Sequence, residues 1–341
     1  MEVLFPEEIC FNFNQSKLIK PKLMNRRNFI QTTGLSAVGL SLSGKGLASS
    51  ILTSGAVKRP ICAFTKCLQF LSFDEIGEAL SFLGFDGADI TLRPGGQVEP
   101  SEVKTALPLA VKTLQKYNIA LPMVVTSITN TSDPLTQDTL QALADSGIKY
   151  YRTGWLKYDL AKTIQQNLDI HRKTIEQLAG LNEKLGLHGA YQNHSGVEVG
   201  GPVWDIYELV KNVNPQFMGV QYDIRHAVTE GGYSWILGMK RVAPWIRTID
   251  IKDFVWEKTP AGPWKHSNVL LGEGMVNFEQ FLKEYASLKV EAPISIHFEY
   301  DLGGAELGKK EITMDRMKIF GMMKKDLIWF REAMQKHQIE S

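Results

Sequence analysis

The sequence predicts an α/β protein of one domain, an eight-stranded (β/α)8 barrel, and three observations carry that prediction. From about residue 59 onward, short apolar runs alternate with longer amphipathic stretches, the pattern of a parallel sheet with helical crossovers. Eight such units follow one another without a long polar linker, and a barrel of roughly 250 residues plus a leader accounts for the 341 residues. No Gly-x-Gly-x-x-Gly turn follows the first strand, which removes the main signature of an open dinucleotide-binding sheet. The composition, 44% hydrophobic and 22% charged, is that of an ordinary globular chain. With 38 basic against 37 acidic residues the net charge is +1, so nucleic acid is not an expected partner.

Strands are expected over 60–66, 86–93, 120–126, 150–153, 187–193, 217–223, 246–252 and 293–299. Helices, marked by apolar residues at i, i+3 and i+4, are expected over 74–83, 102–117, 135–146, 161–185, 203–213, 235–240, 278–288 and 309–336. The barrel domain is assigned to 51–341. Before it, residues 24–50 run from Arg26-Arg27 through Phe29 and Ile30 to a mildly apolar stretch and then small residues at Ala48 to Ser50. That order is typical of an export signal, and Arg-Arg-Asn-Phe-Ile resembles a twin-arginine address. The apolar stretch falls short of the roughly 20 residues that span a bilayer, so no membrane insertion is expected once the signal is removed. Residues 1–23 read as an unstructured extension or a misplaced start upstream of Met24. Of the three cysteines, Cys10 lies in this extension. Cys62 and Cys67, about 16 Å apart on an extended strand, are too distant for the ~7 Å limit of a disulfide and are expected to be free.

In such a barrel the chemistry sits at the C-terminal strand ends, and alternate side chains point to the interior. Taken in order, the second strand ends with Asp89, Thr91 and Arg93 on one parity. The fifth ends in Gln192-Asn193-His194, with Gln192 on the parity of Ala190. In the sixth, Met218, Val220 and Tyr222 face outward, leaving Gln221 and Asp223 inward. In the seventh, Ile249 and Ile251 go outward and Thr248, Asp250 and Lys252 inward. In the eighth, Ile294, Ile296 and Phe298 suit the helical layer, leaving Ser295, His297 and Glu299 inward. Gln192, Asp223, Asp250, Lys252, His297 and Glu299 therefore collect around one axis. Crowded carboxylates are costly without a cation or a shared proton. A divalent metal is one answer, with manganese or magnesium suited to oxygen ligands better than zinc. The other is a set of polar layers paired by Lys252, Arg93 and Arg152.

These residues carry a resemblance. Gly84-Phe85-Asp86-Gly87-Ala88-Asp89, Gln192-Asn193-His194, Asp223-Ile224-Arg225-His226, Ile251-Lys252-Asp253 and His297-Phe298-Glu299-Tyr300 resemble the xylose-isomerase-like TIM barrel superfamily of sugar phosphate isomerases and epimerases. Thr91-Leu92-Arg93-Pro94-Gly95-Gly96 and Leu271-Gly272-Glu273-Gly274 resemble a bacterial subgroup with export signals. The resemblance extends from about Pro60 to the end of the chain. It implies one divalent ion held by Glu, Asp, His and Glu from four strands, with the two glutamates moving protons beside the carbonyl of an α-hydroxy ketone. Asp223 and Glu299 match two ligands, and His226 matches a substrate contact. Two positions depart, since Gln192 stands for the first Glu and Asp250 for the His. Both sets sum to a charge of −3, so the expected ligand set is Gln192, Asp223, Asp250 and Glu299. A glutamine cannot serve as a base, which leaves Glu299 as the base and His226, His194 or Lys252 as the partner acid.

Arg93, beside the tight Pro94-Gly95-Gly96 loop, can clamp a substrate oxygen. His194 and Arg152 are further candidates for substrate contact, and Trp155 and Trp256 can stack on a sugar face. His297, one layer deeper, reads as a hydrogen-bonded core histidine, whereas His171, His266 and His337 read as surface. Gly272-Glu273-Gly274 reads as a rim turn. The function expected is a metal-assisted isomerase or epimerase working by enolate chemistry on a sugar or keto-sugar. Export argues for a non-phosphorylated substrate in the periplasm. Two alternatives stand beside it, a 3-keto-glycoside lyase or hydratase and a catalytically silent sugar-binding barrel. A DNA-repair endonuclease of the same superfamily resembles a histidine-rich trinuclear zinc site, which seven scattered histidines do not provide. The partner is a small carbohydrate, and the resemblance leaves a homo-oligomer open.

Overall fold

The structure, a computed structural model, describes residues 59–288, 290 and 292–339. The upstream extension and the export signal lie outside the described residues. The chain runs through β1 (Ile61–Phe64), α1 (Phe73–Leu83), β2 (Gly87–Leu92), α2 (Val103–Gln115), β3 (Ala120–Thr126), α3 (Pro134–Asp145) and β4 (Tyr150–Arg152). It continues through α4 (Ile164–Leu185), β5 (His188–Gln192), α5 (Val203–Val210), β6 (Met218–Asp223), α6 (Ile224–Gly231), α7 (Trp235–Val242) and β7 (Ile246–Ile251). A hairpin of β8 (Asp253–Lys258) and β9 (Trp264–Val269) follows, then α8 (Phe278–Ser287), β10 (Ile294–Ile296) and α9 (Arg316–Lys336).

Eight strands close in parallel in the order β1-β10-β7-β6-β5-β4-β3-β2, so β10 pairs with β1 and no edge is left open. Local sequence sets the helix ends. Ser72 with Glu75 and Thr163 with Gln166 form capping boxes ahead of α1 and α4. Both helices stop at glycines, Gly84 (φ 87°) and Gly186 (φ 70°), in the left-handed conformation. The outward residues Met218, Val220, Tyr222, Ile249 and Ile251 are fully buried between sheet and helices, each contributing about 2 kcal/mol of apolar burial. That leaves the inward parity free for polar groups. Between β6 and β7 the register shifts after Val220↔Ile246, so that Gln221 pairs with Thr248 and Asp223 with Asp250. The shift brings two carboxylates side by side at the strand ends. Among the described residues no helix is long and apolar enough to cross a membrane.

Four local expectations change. The last helix begins at Arg316 rather than 309, because Asp315 caps the backbone N–H groups of Met317 and Lys318. A β8–β9 hairpin, for which no strand was expected, follows the seventh strand; β9 has no buried residue to impose an apolar alternation. An extra helix, α6, starts directly from the end of β6. Residues 65–68 form a 3-10 turn, so Cys62 and Cys67 are not joined by extended chain; both are free and buried.

Candidate active site

The Asp-Ile-Arg-His segment shows how local folding builds the site. Asp223 ends β6 and caps α6, spending Oδ1 on the backbone N–H of His226 (3.1 Å). Its Oδ2 faces the barrel axis, where Gln192 Nε2 donates to it at 3.0 Å. The same Gln192 nitrogen donates to Asp250 Oδ2 at 2.6 Å, while Gln192 Oε1 accepts from Arg152 Nη1 at 2.7 Å. A flipped amide would set its oxygen against two carboxylates and its nitrogen against a guanidinium, so this orientation is the satisfied one. Gln221 adds donation to both oxygens of Asp250, at 2.8 Å each.

Cations compensate the carboxylates. Lys252 Nζ lies 3.1 Å from Asp223 Oδ2 and 3.1 Å from Glu299 Oε2. Burial alone would lower the Lys252 pKa, but Asp223 and Glu299 raise it overall, so the amine is an ammonium. Lys66, just past β1, places Nζ 3.2 Å from Glu299 Oε1. Burial raises the Glu299 pKa, and Lys252 and Lys66 overcome that to hold it well below the ordinary carboxylate range. His297 Nε2 lies 3.2 Å from Asp250 Oδ1, and its Nδ1 lies 3.7 Å from Glu299 Oε1. Burial opposes its charge, yet Asp250 prevails and the imidazole is pushed up to about 9. Phe64 stacks on the ring at 4.3 Å. Asp89, against Ser295 Oγ (2.8 Å), is raised by burial to about 7.

A second tier lies beside this floor. His226 Nδ1 accepts from the Ser195 backbone N–H (3.1 Å) and from Arg225 Nη1 (2.9 Å). Both are obligate donors, so Nδ1 carries no proton and Nε2 carries it. That Nε2–H lies 3.6 Å from Asp223 Oδ2, the oxygen that Lys252 also approaches. Burial, then Lys252 and His194, drive the His226 pKa well below its ordinary value. His194 packs between Trp155 (4.4 Å) and His226 (4.0 Å), and burial lowers it to about 4. Arg152 lies over the Trp155 ring at 4.3 Å.

Among the sequence-derived candidates, Gln192, Asp223, Asp250, Lys252 and Glu299 form one bonded network. Arg152, Trp155, His194 and His226 adjoin it. Arg93 is half-buried, and burial lowers its pKa, with Asp89 and Glu299 close enough to oppose that shift. Trp256 is placed differently. The hairpin carries it onto β8, 39% exposed, against Phe254 and His266 in an outer groove with Met275 and Tyr233. His297, expected as a core histidine, is buried but pairs with Asp250 and reaches toward Glu299. Sequence reasoning missed Lys66, which a 3-10 turn after β1, and not strand parity, carries to Glu299. It also missed Asp253, whose carboxylate accepts from the backbone of Phe254, Gly272, Gly274 and Val276 and so holds the Gly-Glu-Gly turn.

A model of the xylose isomerase-like TIM barrel family matches residues 77–320. The chain belongs to that family. Solved structures with the same fold include a D-psicose 3-epimerase with D-tagatose from Clostridium cellulolyticum H10, 13% identical, TM-score 0.60, covering 81% of this chain and 99% of that one. The IOLI protein with a binding zinc atom is 14% identical with a TM-score of 0.63, covering 82% of this chain and 99% of its own. The 3-keto-D-glucoside 4-epimerase of E. coli is 10% identical with a TM-score of 0.59, covering 81% and 100%. Among curated proteins no sequence matches.

Metal-bound structures thus occur among the similar folds. In this barrel Asp89, Asp250 and His297 each offer one donor atom, all within 4.8 Å of one another, near enough to share an ion. The four matched positions are another matter. Gln192 turns N–H groups toward Asp223 and Asp250 and its oxygen toward Arg152, and Lys252 lies between Asp223 and Glu299. As they stand, those four residues do not fit a cation.

Proposed function

We propose that this barrel is a carbohydrate-modifying enzyme that moves a proton at a carbon beside a carbonyl, an isomerase or epimerase of a non-phosphorylated sugar or keto-sugar. One observation carries the reading. Of the three carboxylates matched at the strand ends, Glu299 is 21% exposed while Asp223 and Asp250 are fully buried, so only Glu299 meets an incoming substrate. Its ammonium partner, Lys252, is 3.1 Å away. A substrate carbonyl that accepts from Lys252 Nζ–H draws the ammonium off Glu299. The carboxylate then becomes more basic as the α-carbon becomes more acidic, which is the coupling proton abstraction needs. Return of that proton by Glu299 to the neighbouring carbon isomerises; inversion takes a proton delivered to the opposite face by a second acid, for which Lys252 and His194 are the candidates. Arg152, Trp155 and His194 flank the same space and would orient the ring. The names of the D-psicose and 3-keto-D-glucoside epimerases support a ketose or keto-sugar as substrate. The twin-arginine-like leader supports an exported setting and a substrate without phosphate.

A second reading has its own support. With glutamine at position 192, one reachable carboxylate remains, and one base suffices to take the α-proton of a 3-keto-glycoside and expel the group on the next carbon. Both readings are tested by incubating the purified chain in D2O with ketoses and 3-keto-glycosides and following the sugars by NMR. Deuterium should enter the α-position, and Glu299→Gln should slow that entry by about 100-fold or more. Inversion with exchange identifies the epimerase, and loss of the glycosidic substituent identifies the lyase. Binding of these sugars with neither exchange nor turnover would leave a silent sugar-binding barrel.

A further inference from the structure

We infer that this barrel runs its proton transfer without a divalent metal, the ammonium of Lys252 standing between the two retained ligand positions, Asp223 and Glu299, that an ion would otherwise join. The chemistry rests on the function proposed above; the donor geometry stands by itself. A metal cage needs several lone pairs directed at one point, at distances of about 2.0–2.6 Å. Here hydrogens occupy those directions. Both Asp250 oxygens accept from Gln221, and Oδ2 accepts from Gln192 as well. Asp223 has one oxygen on the His226 backbone and the other shared by Gln192 and Lys252. The two departures from the family pattern therefore act together. The amide at 192 supplies hydrogens where a carboxylate would supply lone pairs, and Asp250 receives them.

Charge bookkeeping agrees. Asp223, Asp250 and Glu299 bring three negative charges, Lys252, Lys66 and Arg152 bring three positive ones within reach of the network, and the His297 imidazole lies against Asp250 besides. Adding a divalent ion would leave an uncompensated charge of at least +2 in a largely buried site, which is strongly unfavourable. The group of Asp89, Asp250 and His297 shares the same committed Asp250, and Phe64 covers the imidazole. In the reaction, Glu299 takes the proton, the C–H electron pair becomes the carbon–carbon double bond of an enolate as the carbonyl π pair moves to oxygen, and the resulting oxyanion accepts a hydrogen bond from Lys252. The proton then returns from Glu299, so the step balances with no co-reactant.

The test uses the full chain. After exposure to excess Mn2+ or Zn2+ and gel filtration, elemental analysis should find far less than one ion per chain, and EDTA should leave deuterium exchange unchanged. Gln192→Glu combined with Lys252→Met should bind Mn2+ at least ten-fold more tightly than the wild type by calorimetry. One ion per wild-type chain, lost in Asp223→Ala or in Asp89→Ala, overturns the inference; should the double variant not fold, this wild-type result decides alone. Exchange that needs bound metal defeats the inference and leaves the proposed function standing. A metal-free chain without exchange on any keto-sugar does the reverse.

Discussion

Replacing Gln192 by glutamate probes the network most directly. Gln192 Nε2 sits 3.0 Å from Asp223 Oδ2 and 2.6 Å from Asp250 Oδ2, so the variant puts a carboxylate oxygen at two like-charged contacts. At an effective dielectric of about 20 each contact costs about 6 kcal/mol, and Arg152 returns about 6, leaving a net repulsion of about 6 kcal/mol. The new side chain has a cheaper course. Keeping a glutamate of ordinary pKa protonated at pH 7.5 costs about 4 kcal/mol, so Gln192→Glu folds with an extra proton. Its folded pKa lies above its unfolded one, so the penalty is absent below about pH 4 and grows by about 1.4 kcal/mol per pH unit above it. Urea unfolding in EDTA should therefore separate variant and wild type by about 4 kcal/mol at pH 7.5 and by about 1.5 at pH 5.5. With an m-value of about 2–3 kcal/mol/M, the first gap is a midpoint shift of about 1–2 M. A gap that is absent, or that does not change between the two pH values, would refute the reasoning.

Three further outcomes are expected. His188 is fully buried, donates from Nδ1 to Gln216 O at 3.1 Å, and is lowered by burial to about 4. It binds its proton more readily unfolded, so stability falls between pH 6.5 and 4 by up to about 3 kcal/mol, a loss that His188→Asn should remove from the pH profile. A Cβ at Gly219 would clash with the Trp245 carbonyl oxygen, so Gly219→Ala should cost at least about 2 kcal/mol in a denaturant titration. Trp155→Ala removes the face on which Arg152 and His194 pack, and should raise KM for a turned-over sugar by about ten-fold with a smaller change in kcat.

Strand parity made much of the site readable, because a closed barrel offers each strand only two environments. Met218, Val220 and Tyr222 had to face the helices, which forced Gln221 and Asp223 inward, and the same logic placed Asp250, His297 and Glu299. What parity cannot give is the stagger between strands. The register shift at β6–β7 that sets Asp223 beside Asp250 leaves no mark in either strand alone. Nor does parity hold where the backbone turns helical: β1 ends at Phe64, and a 3-10 turn then delivers Lys66 to Glu299. The hairpin escaped for a related reason, since exposed strands such as Trp264–Val269 have no buried face to impose alternation. The electrostatics depended on the same missing information. Summing charge over the four matched positions gives −3 and leaves room for an ion. Summing over groups that touch adds Lys252 at 3.1 Å and Lys66 at 3.2 Å, and Gln192 becomes a double donor rather than a lost ligand. A site's need for a metal is set by that second sum, because a buried charge responds to the groups in contact with it, whichever strands they come from.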